Sequence, residues 1–224
     1  RSMAGVRMTA PPAAVSAAGK STGDLQRITP LRYGVFDVET KRSAAEVGGW
    51  HNAERMGISV AVLYDAQLDA YCTYREKEIP ALIDHLKKLD LVVGFNIKRF
   101  DNRVLSAYTA FDLSLLPTLD ILEEITTRLG YRISLEKLAL HTLGEKKRGD
   151  GLQALQWYKE GRIDEIIDYC RFDVEITKNL YLYGLTNSYL LFANKAGKVV
   201  RLPVIFDKTL IDDQEKEASR TASP

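Results

Sequence analysis

The residues best placed to do chemistry are acids at the ends of strands and on one helix. Val35-Phe36-Asp37-Val38-Glu39-Thr40 closes an apolar run that begins at Leu31. Strand side chains alternate faces, so Asp37 and Glu39 share one face and Phe36 and Val38 take the other. Neighbouring carboxylates repel by about 1 kcal/mol in water and about 4 kcal/mol at an effective dielectric of 20. A divalent cation between them, or a proton on one, relieves the repulsion, and hard cations prefer carboxylate oxygens. An isolated Asp-x-Glu is more often a polar strand end facing water, so the other acids decide. Asp101, in Gly94-Phe95-Asn96-Ile97-Lys98-Arg99-Phe100-Asp101, follows a short apolar strand and opens a helix. The helix N-terminus alone favours an acid there by about 0.3–1 kcal/mol. Yet the C-terminal ends of neighbouring strands are also where α/β proteins assemble their sites. In Tyr169-Cys170-Arg171-Phe172-Asp173, Tyr169 and Asp173 lie one above the other on a helix face. That face continues through Ile166, Ile176 and Leu180. An acid in such a stripe is costly to bury unless it is coordinated or paired, for example with Arg171.

The elements around these residues form a recognisable order. Leu31–Val38, Ile58–Tyr64 and Leu68–Tyr74 read as strands, with Asp65-Ala66-Gln67 as a hairpin turn and a polar loop from Thr40 to Arg55. Ile79–Leu89 is a predicted helix, with Pro80 suited to its first position and Leu82, Leu86 and Leu89 on one stripe. Leu91–Phe95 is wholly apolar, as a central strand covered on both faces would be. Further helices are expected over about 100–110, 121–129, 134–143 (with Ser134 as N-cap), 152–160 and 163–183, with a weak strand at 117–120. Tyr189–Phe192 and Val199–Ile205 make a terminal hairpin. Three antiparallel strands followed by strand–helix alternation predict an α/β fold of ribonuclease H-like type. Its mixed five-stranded sheet should carry helices on both faces, with the C-terminal hairpin added. The expected division is a flexible leader over 1–29, the ribonuclease H-like domain over 30–187, the hairpin over 188–207 and a flexible tail over 208–224.

Composition narrows the function classes. The chain has 224 residues, 46% hydrophobic and 27% charged, with a net charge of +1. No global basic field exists, so nucleic-acid binding must come from a local patch. Cys72 and Cys170 sit in apolar segments and read as reduced core thiols, which points to the cytoplasm. No Cys/His spacing suggests zinc, and no apolar stretch is long enough to span a membrane. No signal peptide is apparent.

The three acidic segments occur in the order and approximate spacing of the exonuclease motifs of the DEDD superfamily. They resemble most its Tyr-containing branch, which includes the proofreading domains of family-B DNA polymerases. The chain is also similar to bacterial ribonuclease H-like proteins, some grouped with helicases. The resemblance covers about 31–184, and the terminal hairpin is not part of the shared core. The other branch has a His five residues before the last Asp; Asp168 holds that position here, and Tyr169 stands four before. The resemblance implies that Asp37, Glu39, Asp101 and Asp173 hold two Mg²⁺ or Mn²⁺ ions, about 3.5–4 Å apart in such sites. It implies that Tyr169 orients the attacking water. A phenol of pKa about 10 is not an ordinary base at neutral pH.

Further candidates are substrate contacts. Trp50 can stack on a base, worth about 1–3 kcal/mol, or fill a satellite core. Phe100 can wedge against bases or pack, and Asn96 can bond the nucleic-acid backbone or brace its loop. Thr40 closes the first motif and joins these contacts. Lys146, Lys147 and Arg148 can follow phosphates or form a solvated charge run. His51 is a weaker version of Trp50. Asp120 is expected to support the site rather than bind metal, Leu152, Leu155 and Trp157 to pack, and His85 and His141 to carry no chemistry. The leading expectation is a metal-dependent 3′→5′ exonuclease acting on single-stranded DNA or RNA ends, with a helicase or repair partner. The rival is a catalytically weak or silent nucleic-acid-binding module of a repair or helicase assembly. A structure-selective endonuclease on the same site is a third reading.

Overall fold

A computed structural model describes residues 32–145 and 151–206. The expected leader and tail, and the basic loop with Lys146, Lys147 and Arg148, lie outside the described residues. The mixed five-stranded sheet has strands β1 (Tyr33–Thr40), β2 (Ile58–Asp65), β3 (Ala70–Arg75), β4 (Leu91–Gly94) and β5 (Thr118–Asp120). Their spatial order is β3-β2-β1-β4-β5. β1, β2 and β3 form an antiparallel meander, while β4 and β5 continue the sheet in parallel with β1. The helices are α1 (Ala44–Val47), α2 (Ile79–Leu86), α3 (Asp101–Leu105), α4 (Ile121–Leu129), α5 (Leu135–Leu143), α6 (Gly151–Lys159) and α7 (Ile163–Asn187). A two-stranded hairpin, β6 (Tyr189–Ala193) and β7 (Val199–Pro203), follows.

The alternation in β1 divides the core in two. Tyr33 and Val35 pack with Val60, Val62 and the buried face of α7. Phe36 and Val38 pack on the opposite side with Leu82, Ile83 and Leu86 of α2 and Val104 of α3. Asp37 and Glu39 therefore emerge on the α7 side, where α7 crosses β1 and β2. The predicted stripe Ile166, Tyr169, Asp173, Ile176 and Leu180 is buried throughout. Ser134 caps α5 as expected, accepting from the Lys137 N–H.

Several boundaries differ from expectation for local reasons. The loop over 40–55 contains α1 and a 3₁₀ turn, Trp50–Arg55. A reciprocal capping box between Ser43 and Glu46 starts α1, and Gly48, at φ 86°, ends it. The helix expected over 100–110 shortens to Asp101–Leu105 followed by a 3₁₀ turn at Ser106–Tyr108. Leu152, expected to pack, is exposed. Cys170 is buried, but Cys72 is only half-buried on the edge strand β3.

Candidate active site

Asp37, Glu39 and Asp173 each offer an oxygen such that all three atoms lie within 4.8 Å of one another. Two come from one face of β1 and the third from the helix crossing that face. A β-bulge helps aim them: the β1–β2 register shifts between Glu39 and Thr40, leaving Ser59 as the extra residue. The Ser59 hydroxyl donates to the Glu39 carbonyl at 3.0 Å.

Asp101 reaches the same region by another route and lies outside that three-carboxylate set. β4 pairs with β1 only through Val35, so the Val38 N–H has no strand partner on that side. The Asp101 carboxylate accepts this N–H at 3.0 Å and is itself buried. Burial pushes Asp101 up to about 7, against the Val38 and Asp101 N–H groups, which pull it down; Asp120 adds a smaller upward push. Asp37 is held well above the usual carboxylate range by burial first, then by the charges of Asp101, Glu39 and Asp173. Four acids thus feel one another at the end of β1, and ionising all of them together is unfavourable.

Tyr169 is buried beside this cluster. Its hydroxyl hydrogen-bonds Asp173, and burial followed by the charges of Asp173, Glu39 and Asp37 raises its pKa. Trp157 of α6 packs edge-on against the Tyr169 ring at 6.2 Å. A phenol so strongly disfavoured as phenolate is suited to donate or orient, not to act as a base. Cys170 closes the back of the site. Its thiol lies 3.4 Å from the Asp37 carbonyl and 3.6 Å from Asp37 Oδ2, and burial keeps it protonated.

A family model described as the RNase_H superfamily, RNase_H_2, matches residues 35–183. The chain belongs to the RNase_H superfamily. Its fold is also similar to part of a solved structure, the family B DNA polymerase from the hyperthermophilic archaeon Pyrobaculum calidifontis. That similarity has a TM-score of 0.52 at 14% sequence identity and covers 70% of this chain and 25% of the polymerase. This chain therefore corresponds to about a quarter of that polymerase's length, and at this identity the likeness concerns the fold. No curated protein matches the sequence.

In this RNase_H-superfamily chain the donor set fits a hard divalent cation. Three carboxylate oxygens converge, and their mutual repulsion is what a bound cation relieves. Asp120 is engaged by backbone N–H groups. Its Oδ1 accepts the N–H groups of Asn96, Leu122 and Glu123, and its Oδ2 accepts that of Lys98. It thereby caps α4 and fixes Asn96 in a left-handed conformation, φ 70°.

The expected substrate contacts divide. Trp50 is 70% exposed and meets Phe100 edge-on at 5.7 Å. With Asn96, Lys98, Arg99, Arg103 and Arg132 they line a cleft of about 640 Å³. The Asn96 side-chain oxygen already accepts from Arg132 at 2.9 Å. Thr40 is buried and its hydroxyl donates to the Arg42 carbonyl at 3.0 Å, so it braces the turn after β1. His51 lines the cleft, and its carbonyl accepts from Arg103 at 2.6 Å. Arg132 was not singled out from sequence, and Trp157 was expected only to pack, without Tyr169 as its partner. Arg132 sits in a loop between helices, and no local pattern ties such a residue to Asn96.

His85 was expected to carry no chemistry, and the structure gives it a place in a hydrogen-bond network. Its Nε2 lies 2.7 Å from the buried Asp65 carboxylate and its Nδ1 lies 2.7 Å from the Tyr74 hydroxyl. Arg32 completes this network at 3.3 Å from Asp65. It stands at the far end of β2, remote from the acids: Asp65 pairs with Gly34, whereas Val62 pairs with Asp37.

Proposed function

We propose that this chain is a metal-dependent 3′→5′ exonuclease that hydrolyses phosphodiester bonds at single-stranded DNA or RNA ends. The observation that carries the reading is the meeting of Asp37, Glu39 and Asp173 within 4.8 Å, with the Tyr169 hydroxyl on Asp173. Membership of the RNase_H superfamily makes phosphodiester cleavage the expected chemistry. The order and spacing of the motifs, including Tyr169 four residues before Asp173, support action from the 3′ end. In this reading Asp37, Glu39, Asp173 and Asp101 hold two Mg²⁺ or Mn²⁺ ions. Such ions, when bound, supply an activated water and neutralise the leaving oxygen. The protein's own groups then have separate tasks. Tyr169 orients the attacking water through a hydroxyl that stays protonated. Asp101, bonded to the Val38 N–H, fixes the backbone between Asp37 and Glu39. Trp50 and Phe100 offer ring surface to an unstacked base.

Residues 30–187 form the catalytic unit in this proposal, with 188–207 appended to it. No helix among the described residues is long and apolar enough to cross a membrane. A cytoplasmic setting and a helicase or repair partner belong to the same proposal and rest on the resemblance and on the free thiols.

The test uses oligonucleotides labelled at either end, as DNA and as RNA, with Mg²⁺, Mn²⁺ or EDTA. Metal-dependent shortening of 5′-labelled strands from the 3′ end is expected. Binding without cleavage at every metal concentration would instead identify a silent nucleic-acid-binding module. Internal cuts at junctions would identify an endonuclease on the same residues.

A further inference from the structure

Two open clefts share a wall, and the first is lined by Phe100, the chain neighbour of Asp101. The first, about 640 Å³, has Trp50 and Phe100 at one side. The second, about 390 Å³, has an apolar floor of Phe95, Leu122, Ile133 and Leu135. Asn96 and Arg132 line both, so the clefts form one groove past the C-terminal ends of β4 and β5. The first cleft alone falls within the usual range for a small-molecule site, about 300–1,000 Å³.

The charges along this groove are unevenly neutralised. Lys98 pairs with Glu123 at 2.7 Å, and Arg103 lies 3.7 Å from Glu54. Among the described residues Arg99 and Arg132 make no ion pair; the partner of Arg132 is the neutral amide oxygen of Asn96. Beyond Arg132 the line continues onto the hairpin. Lys195, at the exposed β6–β7 turn, sits over the ring of Tyr131 at 5.0 Å, and Tyr131 immediately precedes Arg132. The hairpin is anchored there, because the Thr142 hydroxyl of α5 bonds both the N–H and the carbonyl of Leu191. The exposed ring of Trp50 with the half-buried ring of Phe100, an apolar floor and cations along the rim suit a single strand whose bases are unstacked. A duplex, with its bases stacked inward, would leave the rings and floor unused.

We propose that this groove holds the strand retained upstream of the scissile bond, with Arg132 contacting a phosphate midway and Lys195 of the hairpin contacting one at the far end. This rests on the phosphodiesterase reading above. It also gives the terminal hairpin a role in setting how much single strand the protein engages.

The experiment measures binding of labelled single-stranded oligonucleotides of increasing length in EDTA, across a salt series. Each lost phosphate contact on a single strand should lower the slope of log K against log salt by about 0.7. Arg132→Gln should lower the slope for all but the shortest strands, whereas Arg132→Lys should retain it. Lys195→Ala, an exposed change that leaves the hairpin core intact, should lower it only for strands long enough to reach the hairpin. Unchanged slopes in both charge-removing variants, with wild-type binding intact, would overturn the groove and leave the nuclease reading standing. So would equal competition by polyglutamate, which would reduce the groove to a general anion surface. A wild-type protein that neither binds nor cleaves any oligonucleotide would defeat the nuclease reading, and the groove with it.

Discussion

At the scale of single residues the proposed exonuclease would separate groups that bind from groups that position. Tyr169→Phe keeps the ring and its packing on Trp157 but deletes the hydroxyl bonded to Asp173. Single-turnover cleavage should fall by about 10²-fold or more if the hydroxyl assists proton transfer, and by less if it only positions water. The Mn²⁺ concentration for half-maximal rate should stay nearly fixed. Asp173→Asn removes a candidate ligand and should raise that concentration as well as slow turnover. Equal rates for wild type and Tyr169→Phe at saturating Mn²⁺ would remove Tyr169 from the chemistry. Asp101 needs two substitutions, because the proposed function gives it a ligand role beside its bond to the Val38 N–H. Asp101→Asn retains an acceptor for the buried Val38 N–H, whereas Asp101→Ala strands that donor, at a cost of about 1–3 kcal/mol. Urea unfolding should therefore separate Ala from Asn while cleavage assays find both impaired. Equal stability of the two variants would mean that the Val38 contact contributes little.

At the scale of elements, the parts read well from sequence are those with strong periodicity. The alternation in β1 placed Asp37 and Glu39 opposite Phe36 and Val38, and the stripe on α7 placed Tyr169 and Asp173 together; both patterns hold in the structure. The capping box Ser43-x-x-Glu46 carried a helix-start signal that went unread, because the polar stretch around it shows no apolar periodicity. What could not be read was long-range pairing: Asp101 with Val38, Asn96 with Arg132, and His85 with Asp65 join residues far apart in the chain. The hairpin was visible as two strands, yet a contact beyond them adds to its docking. Phe206 packs on Gly184 of α7, where an added Cβ would meet Phe206 Cε2 at 2.3 Å, and it stacks on Tyr181 at 6.1 Å. Gly184→Ala should thus overpack this seam and cost about 1–3 kcal/mol. Phe206→Ala should open it and cost about 3–5 kcal/mol. Guanidinium unfolding monitored by tyrosine fluorescence checks both. A change below about 0.5 kcal/mol, the range of ordinary surface substitutions, in both variants would mean that the segment after β7 does not dock as described.

At the scale of the whole molecule, two groups of acids at opposite ends of the sheet respond to pH with opposite signs. Asp37 and Asp101 have folded pKa values above the unfolded value of about 3.9. They bind protons more tightly when folded, so stability rises as pH falls through the folded values, about 7 for Asp101. Asp65 behaves in reverse. Burial alone would raise it, but hydrogen bonds from His85, Gln67, Arg32 and Leu68 hold it below the usual range. Its contribution is complete above the unfolded pKa and is lost as pH falls through the lowered folded value. The exposed acids shifted downward, such as Glu160 and Glu165, are screened by solvent and add little. Thermal melts in EDTA should therefore show greatest stability at mildly acidic pH, declining toward pH 8 as the clustered acids ionise and falling below about pH 4 as Asp65 takes up its proton. Saturating Mn²⁺ favours ionised carboxylates and should remove the decline toward pH 8 while leaving the acid limb unchanged. Asp65→Asn should do the opposite. It breaks a buried charge network, costing about 3–5 kcal/mol at neutral pH, and takes that residue's share of the acid limb with it. Its response to Mn²⁺ should match that of wild type, because the network lies at the far end of β2. If Mn²⁺ left the melting profile of wild type unchanged across this pH range, the convergence of Asp37, Glu39 and Asp173 would not constitute a metal site.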